Sequence, residues 1–437
     1  MRAALLSIGD ELLLGEKPET NSAAIAQLLL QHGIDTTQRQ CVGDDRRAIH
    51  AALATLAAEA ELVVATGGLG PTADDLTREA LGDLISPGES LEIDTASAAA
   101  ITARFAARGR VLHEVELRQA RCPRGSRCLS NGVGVAPGIA ARHGKTQIIC
   151  LPGPPNEALP MLATELSSLL HERGEQSSPS TIRCGIVQSC GLGETESARR
   201  LGELMRRDAN PHVGTTASGA MVQARIRWRG QQATPEAIGS LQERIMALWH
   251  PWSYSAGDAP LSAVVGEMLR RRGESLAVAE SCTGGLLGGE CTHIPGSSDW
   301  FRGGVIAYSN QVKVDMLGVD PMSLLQHGAV SAQTARAMAL GALSRFSADW
   351  AIAITGVAGP GGGTAEKPSG TVLVSVAGRA QVGTTRRFLI PGTRSGIRER
   401  SVRLALQALR FELLGCADQP LLHQVAHSVQ SGERSAK

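Results

Sequence analysis

Aromatic side chains are scarce in this chain: phenylalanine, tryptophan and tyrosine together make up 3% of its 437 residues. Base-stacking platforms for single-stranded nucleic acid are hard to build from so few rings, and the cores must be filled by Leu, Val, Ile and Ala. An excess of charge is missing too. Lys plus Arg number 43 against 42 Asp plus Glu, so no whole-molecule field draws in a polyanion or an anionic membrane. Neither nucleic acid nor a membrane is therefore expected as a partner. The nine cysteines are scattered singly from Cys41 to Cys416 without a C-x-x-C, which speaks against zinc and against a disulfide framework. No apolar run reaches the roughly 18 residues of a membrane span, and residues 3–8 enter a strand pattern without a charged leader. A cytoplasmic protein is the expectation. The densest basic stretch, Arg270 to Arg272, falls on an amphipathic pattern and reads as a solvated helix face.

What the chain does have is length, glycine and alternation. At roughly 150 residues per domain, 437 residues suggest two or three domains. Residues 1–170 alternate short apolar runs with helical patterns, the signature of βαβ units and a mostly parallel sheet. Strands are expected at 3–8, 34–42, 61–66 and 147–151. Helices are expected at 22–31, capped by Asn21 and stopped by Gly33, at 46–58, and from Pro71 onward. Residues 171–257 read as a small α+β module entered through a polar linker at 177–180, with Trp228, Trp249 and Trp252 as packing residues. A second α/β unit occupies 258–417. Its late strands, 371–376 and 384–389, follow each other without a helix and so imply an antiparallel edge. Residues 418–437 lack periodicity and are expected to be a disordered tail. The fold class is thus α/β, two doubly wound domains joined by a small α+β module.

Three segments of the last domain lie at strand ends, where ligands of open α/β sheets bind. In the first, Glu280-Ser281-Cys282-Thr283-Gly284-Gly285, a strand runs into a helix, and free N–H groups there favour a developing oxyanion. Ser281 is either a helix cap or a nucleophile, and Cys282 is its rival. In the second, Tyr308-Ser309-Asn310-Gln311-Val312-Lys313, a lysine stands in the first helical turn, where burial beside the positive end of the helix dipole would lower its pKa. It is either an exposed helix residue or a neutral base for a Ser–Lys pair. The third, Thr355 to Gly370, carries glycines at 356, 359, 361, 362, 363 and 370 and prolines at 360 and 368. It is a loop, either a flexible surface segment or a backbone cradle for a ligand. Arg394 and Arg398 open the final helix and are candidates to hold a phosphate.

The first domain carries Gly9-Asp10-Glu11-Leu12-Leu13-Leu14-Gly15 after its first strand and Thr66-Gly67-Gly68-Leu69-Gly70-Pro71-Thr72-Ala73-Asp74-Asp75 after its third. Gly67, Gly68 and Gly70 free a backbone for close approach. Asp74 and Asp75 either cap a helix or hold a hydrated Mg²⁺ against a pyrophosphate.

With these motifs in this order, the chain resembles the CinA family. A-E-S-C-T-G-G, Y-S-N-x-V-K, H-G-A-V-S, I-T-G-V-A-G-P-G-G-G-T and K-P-x-G-T-V match its C-terminal domain over about 261–414. The resemblance implies a nicotinamide mononucleotide amidohydrolase with Ser281 as nucleophile, Lys313 as base and Tyr308 as a hydrogen-bonding partner. Substrate would be held by Thr283, Gly284, Gly285, Thr355, Gly356, Gly359, Gly361, Gly362, Gly363, Arg394 and Arg398, with no cofactor. G-D-E-L-L-x-G, G-G-L-G-P-T-x-D-D-x-T and L-P-G-P-P-x-E resemble the molybdopterin-binding-like domain that begins such proteins. That likeness implies an ADP-ribose pyrophosphatase binding through Gly67, Gly68, Gly70 and Thr72. Its divalent metal, Mg²⁺ or similar, would sit on Asp10, Glu11, Asp74 and Asp75. It also implies a homodimer. Two departures bear on this site: Val135 stands where relatives carry a threonine, and Arg118 where they carry a lysine. The alternative readings are a non-catalytic binding module in the first domain and a competence-related nucleic-acid factor.

Overall fold

The structure is a computed structural model, and it describes residues 1–172, 182–379, 383–425 and 430–431. The linker expected at 177–180 lies outside the described residues. Two compact units are present, one of Met1–Arg183 with Arg229–Ala233, the other of Cys184–Trp228 with Thr234–Lys437.

In the first unit, strands β1 (Arg2–Ile8), β2 (Asp35–Val42) and β3 (Leu62–Thr66) alternate with helices Asn21–Gln31 and Arg46–Glu59. A short ribbon, β4 (Glu92–Ile93) with β5 (Arg121–Cys122), precedes β6 (Arg127–Leu129), β7 (Gly138–His143) and β8 (Thr146–Leu151). The sheet order is β2-β1-β3-β8-β7-β6. β1, β2, β3 and β8 run parallel, and β7 and β6 form an antiparallel edge. Strand alternation sends Ala4, Leu6 and Ile8 to one face, against Ile49, Leu53 and Leu56 of helix Arg46–Glu59. Ala3 and Leu5 go to the other, against Ile25 and Leu29 of helix Asn21–Gln31 and Leu162 and Leu166 of helix Pro155–Glu172. Both faces are covered, as the near-continuous apolar β1 requires.

Two local expectations need correction. Asn21 is not a cap but the first helical residue, and its Nδ2 donates to Gly153 O at 2.6 Å. Pro71 does not open a helix: the helix starts at Thr77, because Asp75 draws the preceding residues into a turn, described below.

The second unit contains a sheet of β9 (Ile182–Cys190), β10 (His212–Ser218), β11 (Met221–Arg229) and β12 (Ser253–Ser255) in the order β10-β11-β9-β12. Then come β13 (Leu276–Glu280), β14 (Phe301–Ile306), β15 (Trp350–Gly356), β16 (Thr371–Gly378), β17 (Thr384–Leu389) and β18 (Gln430–Ser431), ordered β14-β13-β15-β16-β17-β18. β13, β14 and β15 are parallel, while β16 and β17 are antiparallel. On one face Val278, Ile352 and Ile354 meet Val265 and Leu269 of helix Leu261–Arg272 and Leu404 to Leu409 of helix Arg394–Leu414. On the other, Ala277, Ala279, Ala351 and Ala353 meet Met338, Ala339 and Ala342 of helix Ala332–Arg345. Small side chains on both partners let that helix approach the sheet closely.

The α+β module shares one hydrophobic cluster with this larger sheet. Trp249 is fully buried within it and donates from Nε1 to Ser197 O at 3.1 Å, while Arg410 of the last helix donates to Pro251 O and Ser253 O. Residues 418–425 are not a disordered tail. Leu421 is buried, Leu422 N donates to Gly191 O at 2.7 Å, and Pro420 O accepts from Trp252 Nε1 at 2.9 Å. The basic run at 270–272 is the solvated helix end expected, with Arg270 and Arg271 both paired to Glu267. No helix among the described residues is long and apolar enough to cross a membrane.

Candidate functional site

Strand β13 ends at Glu280, and Ser281 is held in line by its N–H, which donates to Ile354 O of β15 at 2.9 Å. Residues 281–285 then turn sharply. Gly284 N returns to Ser281 O at 3.2 Å, and helix Leu286–Thr292 begins after Gly285. Gly285 has φ +96, and a Cβ there would sit 3.1 Å from Ile306 Cδ1, so no other residue suits the position.

On the neighbouring strand end, Ser309 caps helix Asn310–Leu317 by accepting from Val312 N. One turn in, Lys313 points back under the sheet edge, 1% exposed. Its Nζ donates to Ala307 O at 2.8 Å and Tyr308 O at 3.2 Å, and stands 3.4 Å from Ser281 Oγ. No carboxylate among the described residues is bonded to it, and burial lowers its pKa from the ordinary lysine value. A neutral amine has two N–H bonds and one lone pair. In that form the two carbonyls would take the two N–H bonds and the lone pair would face the serine hydroxyl. Cys282, the rival nucleophile, is buried and its thiol is pushed up to about 11 by desolvation, so it is un-ionised at neutral pH.

Tyr308 contributes differently from expectation. Its side chain is 65% exposed, and what it gives the cluster is its carbonyl. Both candidate arginines are also already engaged. Arg398 donates to Cys282 O at 3.1 Å and Thr283 O at 2.7 Å, and Arg394 to Gly359 O at 2.8 Å. One helix start thus ties the Ser281 turn to the glycine loop. That loop is no loose flap: Val357 N donates to Thr371 O, Gly370 N to Val357 O, and Lys367 Nζ to His327 O. Gly356 closes β15, Gly359 is buried, and Gly361, Gly362 and Gly363 are exposed. Thr355 Oγ1 donates to Ala329 O, whereas the buried Thr283 Oγ1 has no partner among the described residues.

Sequence reasoning missed Glu280. Its carboxylate, 1% exposed, accepts from Gly285 N at 3.0 Å, Leu287 N at 3.0 Å and Gly288 N at 2.8 Å. The helix-end N–H groups expected to face an oxyanion are therefore already occupied. Only its place before the serine marked it, and side-chain reach across a turn is not readable from spacing.

The first unit holds a cavity of about 920 Å³ at the carboxyl ends of its parallel strands. Its lining includes Glu11, Gly67, Gly68, Gly70, Asp74, Asp75 and Val135. Gly67 has φ +105, and a Cβ there would fall 2.2 Å from Ile8 O. Beneath the loop, fully buried Arg78 donates to Leu69 O at 2.7 Å and Gly70 O at 2.6 Å. Arg118 donates to Thr72 O, Asp75 O and Glu79, so it supports the loop from outside the cavity, whereas Val135 lies on the wall.

The metal expected on Asp10, Glu11, Asp74 and Asp75 is not supported. Among the described residues no group of three or more His, Cys, Asp or Glu is arranged to hold a metal ion. Two of the four carboxylates, Asp10 and Asp75, serve the backbone instead. Asp75 accepts from Gly70 N, Thr72 N and Thr72 Oγ1. Asp10 accepts from Asp44 N while Asp44 accepts from Asp10 N, and Glu11 faces Lys17 at 3.7 Å. Asp74 is exposed.

Fold and site together define a protein with two α/β units, one carrying a buried Ser–Lys pair and the other a glycine-lined cavity. Residues 258–413 match the CinA C-terminal domain, and residues 4–172 a probable molybdopterin binding domain. The chain is 40% identical over 432 residues to a putative competence-damage inducible protein of Symbiobacterium thermophilum, covering 96% of this chain and 100% of that one. It is 41% identical over 381 residues to a CinA-like protein of Synechocystis, covering 86% and 90% respectively. The solved competence/damage inducible protein CihA of Agrobacterium tumefaciens is 42% identical over 35% of this chain and 93% of its own, with a TM-score of 0.35. The chain belongs to the CinA family.

Proposed function

We propose that the second unit hydrolyses the carboxamide of nicotinamide mononucleotide to nicotinic acid mononucleotide and ammonia. The observation that carries this reading is the lysine: a buried Nζ, bonded to no carboxylate, 3.4 Å from a strand-end serine hydroxyl. Ser281 Oγ–H gives its proton to Lys313 as Oγ attacks the carbonyl carbon. The tetrahedral intermediate collapses, the amine leaves as ammonia with the proton from Lys313, and an acyl-serine remains. Water, deprotonated by the same amine, then adds to the acyl carbon and frees Ser281. The family resemblance supplies the substrate and the geometry supplies the chemistry.

Wild type and Ser281→Ala, incubated with nicotinamide mononucleotide in the presence of chelator, test this through ammonia and nicotinic acid mononucleotide together. Product from wild type alone is expected; no product from folded wild type would sink the reading.

For the first unit, the binding-module reading is favoured by a specific observation: the cavity has the volume of a nucleotide site, while Asp75 on its wall is committed to the backbone N–H groups of Gly70 and Thr72. A nucleotide such as ADP-ribose would lie against the Gly67–Gly70 backbone. Equilibrium dialysis with ADP-ribose, with and without Gly67→Ala, checks this.

A further inference from the structure

If the deamidase reading holds, the charge that develops on the carboxamide oxygen needs N–H donors, and an inventory of the backbone identifies them. Among the described residues every N–H from Ser281 to Gly288 but two donates to an oxygen. Ser281 N goes to Ile354 O, Gly284 N to Ser281 O and Leu286 N to Thr283 O, while Gly285, Leu287 and Gly288 donate to Glu280. Thr283 N has no acceptor among the described residues, and Cys282 N meets only the sulfur of its own side chain, a weak acceptor that a developing oxyanion would displace. Buried backbone donors are rarely left so without reason.

Their direction follows from peptide geometry. In a planar trans peptide the C=O of one residue and the N–H of the next point opposite ways. Arg398 draws both Cys282 O and Thr283 O toward itself. The N–H groups of Thr283 and Gly284 must then face away from the guanidinium. Gly284 N does so and lands on the backbone carbonyl of Ser281, so Thr283 N–H points to that same side of the turn, away from Arg398.

We infer that the N–H groups of Cys282 and Thr283 form the oxyanion site of Ser281, with Arg398 and Glu280 as positioning residues that aim the turn and remove its competing donors. This assigns to Arg398 a role other than gripping the substrate phosphate. It also gives Glu280 a reason to be buried with no basic partner among the described residues.

The test compares ammonia release from nicotinamide mononucleotide and from its thioamide analogue, in the full chain, for wild type, Arg398→Gln and Arg398→Lys. Sulfur accepts hydrogen bonds poorly, so an enzyme that relies on N–H donors discriminates against it. Removing one such donor costs about 10²- to 10³-fold, and the wild-type oxygen-to-sulfur ratio of kcat/KM is expected on that scale. In Arg398→Gln kcat should fall at least about tenfold, the ratio should shrink by a similar factor, and the pH profile set by Lys313 should stay where it is. Arg398→Lys, which keeps one donor, should be intermediate and serves if the glutamine variant fails to fold. A slower variant with the wild-type ratio overturns the inference, as does a loss confined to KM, which would return Arg398 to phosphate binding. Absent turnover by wild type removes the deamidase reading itself, a result separate from either.

Discussion

The Ser281 turn of the second unit and the Gly67–Asp75 loop of the first are built by the same device. Each follows the end of a parallel strand, and each bends through glycines in the left-handed region. In each a carboxylate gathers loop N–H groups, Glu280 in one and Asp75 in the other. In each an arginine grips two successive loop carbonyls, Arg398 at 282 and 283, Arg78 at 69 and 70. They differ in what is added. The second unit places a serine hydroxyl on the turn and a buried amine beside it; the first leaves an open cavity. A pinned glycine loop is thus a platform, and its chemistry depends on the residue types presented to it.

The comparison can be broken most sharply at the Ser–Lys pair. Ser281→Ala and Lys313→Ala should each lower kcat for nicotinamide mononucleotide by about 10³-fold or more, as loss of a nucleophile or its base does. A similar loss from Asp75→Ala would erase the distinction between the loops. The pH dependence of kcat sharpens it further. A general-base Lys313 would act only when neutral, and burial lowers its pKa, so kcat should rise with pH through that lowered value and level off while ordinary lysines are still charged. A rate that falls over the same range would mean that Lys313 serves as a cation.

Smaller effects lie in the first unit. Gly67→Ala forces a side chain onto Ile8 O at φ +105 and should destabilise by about 1–3 kcal/mol, seen in denaturant unfolding, with loss of ADP-ribose binding. Asp75→Ala strands the N–H groups of Gly70 and Thr72 and should cost about 1–3 kcal/mol. Asp74→Asn, at an exposed site, should change stability by less than about 0.5 kcal/mol. A large change there, or binding abolished by chelator, would reopen the role of that carboxylate.

Much of this was legible in the chain. β17 occupies the residues its pattern predicts, and helix Arg46–Glu59 runs one residue past its expected end, because alternation and helical periodicity are local properties of sequence. Ser281 and Lys313 were both marked by their places at strand-to-helix junctions, and the parallel pairing of β13 with β14 and β15 explains why such places converge. Local pattern was less informative where a distant partner decides. Asn21 resembles a cap but bonds to Gly153, and residues 418–425 lack periodicity because they are ordered by contacts with Gly191 and Trp252.

By itself, then, the sequence determined the order of strands and helices, the glycine turns and the residue types placed on them, since each depends on neighbours within a few positions. Only the tertiary structure decided how those residue types are used. Asp75 and Asp10 became acceptors for backbone N–H groups instead of metal ligands, Tyr308 lent a carbonyl, and Lys313 was buried beside a serine 32 residues away in the chain. The reason is physical: a carboxylate or an amine takes its protonation state and its partner from the dielectric and the donors that folding brings around it, and neither is a property of adjacent residues.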